Sequence, residues 1–287
     1  MRILFYVLAY LPLGVLQAIG SFLGWFLWVS NSKRRRTGMR NISACMPELS
    51  AAEQKRIVRA SLAHEMQTYV ETARAWLGPA QSVKAAVREF RGIESYDRAL
   101  AKGKGVILLT LHQGAFEAIA IPMSVNYELV GLYKPQPGVF NELSIKGRSR
   151  FGARLVVAAV GVRKTSLEQL RQNVGVYYMP DHDPPPGHGL FSPFMGQQAH
   201  TATLIAKLVR DSGAPVVFMY GERLPGAQGY IAHYFDAPAE IYDPHPQVST
   251  NAMNRGLEQC VRACPEQYWW GYRRFKRQPQ GMPPFYG

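Results

Sequence analysis

Cysteine is scarce in this sequence, which excludes a disulfide framework. The chain holds 3 cysteines among 287 residues, an odd number without the paired spacing of a small secreted protein. Cys260 and Cys264 could share one helix face, but no second pair of ligands with zinc spacing accompanies them. Because structural zinc needs four ligands, we interpret Cys45, Cys260 and Cys264 as buried thiols.

Acidic residues are also few. Asp and Glu total 20 against 33 Lys and Arg, which gives a formal net charge of +13. This excess indicates an anionic partner, and nucleic acid, a membrane surface, a phosphorylated lipid or an acidic carrier protein would each fit. The cations are concentrated directly after the first apolar segment (33–40) and inside an aromatic segment (273–277). Basic residues beside apolar and aromatic ones favour a lipid interface over nucleic acid.

Charged side chains are absent from residues 3–32. The apolar run is long enough to span a bilayer, which needs about 20 residues, and no small-residue cleavage site marks it as a signal peptide. The cations at 33–36 would lie on the cytoplasmic side by the positive-inside rule. We therefore expect an N-terminal membrane anchor at 1–32 and a single catalytic domain at 33–287. Pro12 and nearby glycines leave a kinked or interfacial helix open, and a buried helix pair is the alternative that needs no membrane.

Internal repeats and low-complexity linkers are absent too, so no second globular domain is expected. From residue 105 onward, apolar runs with strand character alternate with segments of helical period, which is typical of an α/β protein. We predict a central mixed sheet flanked by helices. Ser50 and Glu53 form a capping box for a helix that ends at Leu77, and Thr165 with Glu168 forms another. The predicted strands are 106–111, 129–133, 154–159, 175–180, 215–221 and 229–236, and the predicted helices are 114–125, 139–151, 166–173 and 201–211.

The first candidate site is HQGAFE at residues 112–117. His112 follows an apolar strand, and Glu117 lies five positions on, where a helix begins. Within one helix, that offset would place the two side chains about 140° apart. With His112 in the strand-to-helix turn, however, the Glu117 carboxylate can fold back towards the imidazole. This arrangement favours a general base, a histidine held in one tautomer by an acidic partner.

Two further stretches carry charged candidates. Residues 133–152 contain several cations, of which Arg148 is the first candidate for holding a phosphate or stabilising an oxyanion, with Lys134 and Arg150 beside it. Asp181 follows a strand whose carboxyl end should lie near that of the His112 strand, where ligands collect in open α/β sheets. We expect Asp181 to order the arginine side chains or to contact substrate.

Residues 182–195 and 265–277 allow more than one interpretation. Asp181, His182 and Asp183 could be metal ligands, but neither HxxxxE nor DHD matches a usual hydrolytic zinc pattern, so we predict no metal site. The aromatic and cationic residues of 265–277 could stack nucleobases or lie at a membrane interface. An apolar wall for an acyl chain, or ordinary core, would be formed by Phe191, Phe194 and Met195.

Taken together and in this order, these stretches resemble the late lipid A acyltransferases, the lauroyl and myristoyl transferases of the lysophospholipid acyltransferase-like superfamily. The resemblance covers nearly the whole chain, and the sequence departs from the family's usual pattern at Leu111, Phe116 and Lys134, where Asn, Trp and Arg are commoner. The matching stretches are RRRTGMRNISACMPELSAAEQKRI (34–57), HQGAFE (112–117), the YKP and GRSR blocks, PDHD (180–183), GLFSPFMGQQAHTAT (189–203), GAPVVF (213–218) and PEQYWWGYRRFK (265–276).

The resemblance implies an acyltransferase that moves a fatty acyl chain from acyl carrier protein to a hydroxyl of a lipid A precursor, without a cofactor. It implies His112 and Glu117 as a general-base dyad and Arg148 at the tetrahedral oxyanion. Substrate binding would fall to Lys134, Arg150 and Asp181.

The expected partners are acyl carrier protein, an anionic glycolipid and the bacterial inner membrane, with the catalytic domain on the cytoplasmic side and no nucleic acid bound. Three alternatives stay open. These are an acyltransferase of the same fold acting on another lipid, such as a lysophospholipid or an ornithine lipid, a membrane-associated thioesterase or hydrolase, and a non-catalytic lipid- or nucleic-acid-binding protein.

Overall fold

The computed structural model describes residues 2–286. Within this range a seven-stranded sheet and a separate hairpin are flanked by helices. The strands are β1 Val87–Arg91, β2 Val106–Leu109, β3 Leu129–Tyr133, β4 Arg154–Val157, β5 Gly175–Tyr178, β6 Gly189–Phe194, β7 Gln197–Ala202, β8 Val216–Arg223 and β9 Tyr230–Asp236. The α-helices are α1 Arg2–Tyr10, α2 Leu13–Val29, α3 Lys33–Cys45, α4 Ala51–Leu77, α5 Ala80–Ala86, α6 Glu94–Leu100, α7 Phe116–Met123, α8 Val139–Arg148, α9 Val162–Arg171, α10 Leu204–Ser212 and α11 Pro246–Ala263.

The sheet is mixed, as the sequence predicts, with the strand order β1-β9-β8-β2-β5-β3-β4. β8 and β9 pair antiparallel, and the other neighbouring strands pair parallel. The central strand β2 is apolar throughout and fully buried, as expected for a parallel strand covered on both faces. Leu109 at the end of β2 pairs with Tyr178 at the end of β5, so both strands finish at the same edge of the sheet.

Helix α4 supports this edge. Its predicted capping box is confirmed, because the Ser50 side chain accepts from the Glu53 backbone and the Glu53 side chain accepts from the Ser50 backbone. Thr68, Glu71 and Trp76 of α4 are all buried, although two of them are polar. Thr68 and Trp76 reach the site described below through hydrogen bonds, and Glu71 forms a buried ion pair with Arg223 of β8.

The N-terminal apolar segment forms two helices, α1 and α2, and packs onto α4. A Cβ on Gly20 or Gly24 would lie 2.4 Å from a backbone atom of α4, so glycine permits the close approach of the two helices. Gln17 of α2 donates to the Glu71 carboxylate at 2.9 Å. Within residues 2–286 no single helix is long and apolar enough to cross a membrane. Helices α2 and α3 taken together would be long and apolar enough, but they meet at a bend of 81°. The predicted membrane anchor is therefore not confirmed.

Three local predictions differ from the structure. Helix α9 begins at Val162 after the left-handed Gly161, so Thr165 lies inside the helix and the predicted capping box is wrong. The antiparallel hairpin of β6 and β7 is not predicted, and the helix predicted from residue 201 begins at Leu204, after the end of β7. The edge strand β1 is not predicted, because its VREFR sequence is short and three of its five residues are charged.

Candidate active site

His112 lies in the turn between β2 and α7, and the rest of the chain binds the backbone of this turn. The His112 N–H donates to Asp181 Oδ2 at 3.0 Å, and its carbonyl accepts from the Trp269 N–H at 3.1 Å. The Gly114 carbonyl accepts from the Thr68 hydroxyl of α4 at 2.7 Å. Three segments that are distant in sequence, those of Thr68, Asp181 and Trp269, therefore hold this turn and determine where the imidazole lies.

Gly114 is required in this turn. Its φ is +54°, and a Cβ at this position would lie 1.7 Å from the Gly221 carbonyl oxygen of β8. The Gly114 N–H donates to the Gln267 carbonyl at 2.9 Å, and the Ala115 N–H donates to the Gly221 carbonyl at 3.2 Å. These N–H groups are thus already paired and are not free donors for an oxyanion.

Asp181 is the side-chain partner of His112. Its Oδ1 lies 2.9 Å from His112 Nδ1, and the carboxylate is almost fully buried. Burial raises the pKa of this carboxyl, but the positive charge that His112 can carry and the hydrogen bonds from His112 outweigh burial and hold the pKa well below its usual value. A proton on Nδ1 satisfies the ionised Asp181, which leaves His112 Nε2 as the basic nitrogen.

The prediction that Asp181 lies near the carboxyl end of the His112 strand is confirmed. The two residues lie at equal offsets beyond the Leu109 and Tyr178 pair at the ends of β2 and β5. The partner of Asp181 differs from the one expected, because within residues 2–286 this carboxylate binds the imidazole and no arginine, and it is almost fully buried. A contact of Asp181 with substrate stays a prediction.

Glu117 is paired with Arg148 and not with the imidazole. Its Oε1 and Oε2 accept from Arg148 Nε at 3.1 and 3.2 Å, Arg148 Nη2 donates as well, and Trp76 Nε1 donates at 3.1 Å. Within residues 2–286 no hydrogen bond joins Glu117 to His112, so that contact is predicted wrongly. The reason is that Glu117 lies inside α7, where α4 and α8 offer an indole and a guanidinium N–H.

Arg148 ends α8 and remains about one-third exposed, with its guanidinium 5.4 Å from the centre of the Trp76 ring. Burial lowers its pKa, but the Glu117 carboxylate outweighs burial and raises it, so the guanidinium stays charged. Nε and Nη2 are used by Glu117, and Nη1 has no hydrogen-bond acceptor in the described part of the chain. Arg148 can therefore still donate to a substrate.

The other two predicted cations are placed differently. Lys134 is exposed in the stretch after β3, where it is accessible to a bound anion. Arg150 donates to the Ala75 carbonyl at 3.2 Å and to the Gly78 carbonyl at 2.7 Å, which are free acceptors at the C-terminus of α4. This contact gives Arg150 a structural role in capping α4.

His182 lies flat against His112. The two rings are parallel, with an angle of 0° and centroids 3.7 Å apart. Together with Asp181, the two histidines form a group whose ligand atoms could approach a metal ion. The lone pairs of parallel stacked rings lie in separate planes and do not converge on one point, so the two imidazoles do not fit a shared metal ion.

The C-terminal segment completes the walls of the site. Trp269 tilts over His112 with ring centroids 5.2 Å apart, and Phe116 meets the same imidazole edge-on at 5.3 Å. Phe194 and Met195, predicted either to line an acyl chain or to form core, are 1% exposed and belong to the core. The sequence analysis does not identify Trp76, because a tryptophan in an apolar helical stripe looks like any core residue.

Comparison of the sequence with known proteins identifies a family to which the chain belongs. The family model described as "Bacterial lipid A biosynthesis acyltransferase" matches residues 1–277. The chain is 30% identical over 280 residues to the lipid A biosynthesis lauroyltransferase of Escherichia coli (strain K12), covering 96% of this chain and 90% of that protein.

Two other relatives from Escherichia coli (strain K12) are similar over nearly the same length. The palmitoleoyltransferase is 24% identical over 277 residues (96% of this chain, 90% of that protein), and the myristoyltransferase is 27% identical over 275 residues (94% and 83%). The histidine at the carboxyl edge of the sheet, with its buried carboxylate, therefore lies in an acyltransferase, and the chain belongs to the bacterial lipid A biosynthesis acyltransferase family.

Proposed function

We propose that the protein transfers a fatty acyl chain from the thioester of acyl carrier protein to a hydroxyl of a lipid A precursor, with His112 as general base. The observation that carries the proposal is the His112 Nδ1 to Asp181 Oδ1 contact of 2.9 Å at the ends of two adjacent parallel strands. It leaves Nε2 free to accept the hydroxyl proton, and the ionised Asp181 stabilises the imidazolium that forms.

The reaction needs no other proton carrier. Nε2 of His112 takes the hydroxyl proton while the acceptor oxygen attacks the thioester carbonyl, which gives a tetrahedral oxyanion. When this intermediate collapses, the carbon–sulfur bond breaks and the thiolate of the carrier leaves. The imidazolium returns its proton to the sulfur, so the ester and the free thiol are the products.

Arg148 is the candidate for stabilising the oxyanion or an acceptor phosphate. Its Nη1 has no other acceptor in the described chain, and Glu117 with Trp76 fixes the plane of the guanidinium. Glu117 thus acts through Arg148 and not on the imidazole. Lys134, exposed after β3, is a second candidate for binding an anionic substrate.

The donor is proposed to dock on a cationic face formed by α3 and the C-terminal segment 268–286. The two segments carry nine basic residues and no acidic one. Asn41 joins them, because its amide donates to the Trp270 and Tyr272 carbonyls at 2.8 Å. The face borders Trp269, which covers His112, so an acidic carrier bound here would be next to the site. The exposed cations on it are Lys33, Arg36, Arg40, Arg273 and Lys276.

The test is transfer by the purified protein with tetra-acylated lipid A precursor and acyl carrier proteins loaded with C10 to C16 chains. We expect ester formation with one preferred chain length. Transfer to a lysophospholipid but not to the lipid A precursor would show that the acceptor is a lysophospholipid. Release of free fatty acid without any lipid acceptor would indicate a thioesterase.

The cationic face can be tested separately. Replacing Arg36 and Arg273 by Glu should raise the KM for acyl carrier protein about tenfold at unchanged kcat, since cations at the edge of an interface mainly affect encounter. Replacing Lys102 and Lys104 by Glu is the charge-matched control, because both lysines are exposed before the amino end of β2, at the opposite edge of the sheet. Equal effects of the two changes would show that only net charge matters.

We also propose that residues 1–32 bind the catalytic domain 33–287 to the cytoplasmic side of the inner membrane while lying along the surface. Helix α2 has 17 residues, about 26 Å at 1.5 Å per residue, which is shorter than a hydrocarbon core of about 30 Å. One of its faces is occupied by α4, and cations follow it at 33–36. The large apolar side chains exposed on α1 and α2 include Ile3, Val7, Tyr10, Phe22, Trp25 and Phe26.

Vesicle flotation tests this placement. Phe22→Ser with Phe26→Ser should lower the fraction bound to anionic vesicles, whereas Val160→Ser, a change of an exposed apolar residue after β4, should not. In spheroplasts, protease should leave the whole chain intact if it lies on the cytoplasmic side. Cleavage of the N-terminal residues from outside would indicate a spanning segment instead.

A further inference from the structure

The site contains a second imidazole, that of His182, which has no role in the reaction proposed above. Its ring lies between two others, with His112 at 3.7 Å and Tyr272 at 3.8 Å between ring centroids. Its Nε2 is buried and makes no hydrogen bond within residues 2–286. A buried polar atom without a partner costs free energy, so it calls for an explanation in a native structure.

The far side of the stack is fixed in place. The Tyr272 hydroxyl accepts from the Asp183 N–H at 3.0 Å. The Asp183 carboxylate in turn accepts from Arg277 Nε at 2.9 Å and lies 2.9 Å from His200 Nδ1. His182 therefore has a rigid ring behind it, and any tilt of His182 would have to displace Tyr272.

The bond to Asp181 does not by itself fix the orientation of the His112 ring. It holds Nδ1, but a coupled rotation about the Cα–Cβ and Cβ–Cγ bonds can still tilt the ring plane. A flat surface against the imidazole removes that rotation. His182 supplies this surface, with an angle of 0° between the two rings.

We propose that His182 is a positioning residue, which holds the plane of the His112 imidazole so that Nε2 faces the acceptor hydroxyl. The proposal rests on the proposed function, in which His112 is the base. It explains the orphaned Nε2, because His182 is used for its ring face and not for its nitrogens.

The stack works only if His182 stays neutral while His112 gains a proton, since two adjacent imidazolium rings would repel each other. The pKa of His182 is lowered to about 3, chiefly by burial and also by the charges of His112, Arg274 and Lys276, which outweigh the opposing effect of Asp181. Together with the Tyr272 ring, these are the ionisable groups that face it. His182 is thus uncharged throughout the pH range in which His112 works.

The test compares His182→Ala with His182→Phe. The Ala variant should lose about 10²-fold in kcat with KM within about threefold, because a base that can rotate is often misplaced. The Phe variant, which keeps a flat ring, should recover kcat to within about fivefold of wild type. The acid limb of the pH–rate profile of the Phe variant should stay where it is in wild type. Added imidazole should rescue the Ala variant by filling the space that the His182 ring leaves.

A Phe variant as slow as the Ala variant would overturn the proposal, because a nitrogen of His182 would then be needed. An Ala variant as fast as wild type would also overturn it. If the Ala variant does not fold, Tyr272→Leu and Tyr272→Phe make the same comparison one ring further out, and Tyr272→Leu should be the slower of the two.

Nitrogen-15 NMR of the histidine rings gives a readout that needs no substrate. The Nδ1–H of His112 should be protected from exchange in wild type and in His182→Phe, and should lose protection in His182→Ala. An inactive wild type with this pattern intact would reject the proposed function and keep the positioning role. Equal protection in all three proteins would reject the positioning role alone.

Discussion

The site contains two buried carboxylates that bind different bases. Asp181 holds an imidazole, and Glu117 holds a guanidinium. An imidazole exchanges its proton near neutral pH, whereas a guanidinium keeps its charge at any working pH. The first pair can therefore move a proton, and the second can only present a fixed positive charge. Both pairs consist of a carboxylate and a basic side chain, and they differ in chemistry because one basic side chain is an imidazole and the other is a guanidinium.

The largest expected effect comes from removing the proposed proton acceptor. His112→Ala should lower kcat by about 10⁴-fold, the upper range for loss of a general base. His188→Ala is the control, since His188 is exposed in the loop before β6. Measured by single-turnover acyl transfer, substantial activity in the His112 variant would remove the proton-transfer role from this pair.

The next effect separates orientation from charge at the first pair. Asp181→Asn should lower kcat by about 10³-fold, because an amide can donate to Nδ1 and force the proton onto Nε2. Asp183→Asn is a matched control two residues away, since Asp183 also meets a histidine Nδ1, that of His200, at 2.9 Å. Similar losses in the two variants would mean that the loop, and not the His112 tautomer, is being disturbed.

A smaller effect is expected at the second pair. Glu117→Gln should lower kcat by about 10²-fold, because it leaves Arg148 charged but less firmly held. Glu142→Gln is the control, as Glu142 lies on the same helix as Arg148 and pairs with Arg2 on the surface. The acid limb of the pH–rate profile should not move in Glu117→Gln. A shifted limb would show that Glu117 acts on the imidazole after all.

The smallest effect concerns stability against pH. Folding lowers the pKa of His182 from 6.5 to about 3. Between these two pH values the unfolded chain binds more protons than the folded chain, so the free energy of unfolding falls as the pH falls. The slope is about 1.4 kcal/mol per pH unit for a full proton. His182→Phe removes this contribution, so its stability should fall less steeply on acidification. His64, whose pKa is also lowered to about 3 by burial, contributes to both proteins alike. Urea denaturation at about pH 6 and pH 4 measures the difference, and parallel slopes would contradict it.

Local periodicity explains which parts of the fold could be predicted. The strands of the sheet centre and helix α4 carry long apolar patterns, and the Ser50 capping box is a property of four consecutive residues. The hairpin of β6 and β7 lacks a long apolar pattern. Its two strands pair only with each other, have a mixed composition and pack on α11. The Thr165 box fails because a left-handed Gly161 starts the helix earlier.

The site divides in the same way. The sequence alone determined that His112, Glu117, Arg148 and Asp181 lie close together as a candidate site, since ionisable residues at the ends of apolar strands and helices gather at one edge of an α/β sheet. Only the tertiary structure decided the pairing. Asp181 is distant in the chain but reaches His112 because β2 and β5 are neighbours, whereas Glu117, five residues from His112, is held by α4 and α8. A carboxylate binds the donors that the fold brings to it, and sequence distance does not record which donors those are.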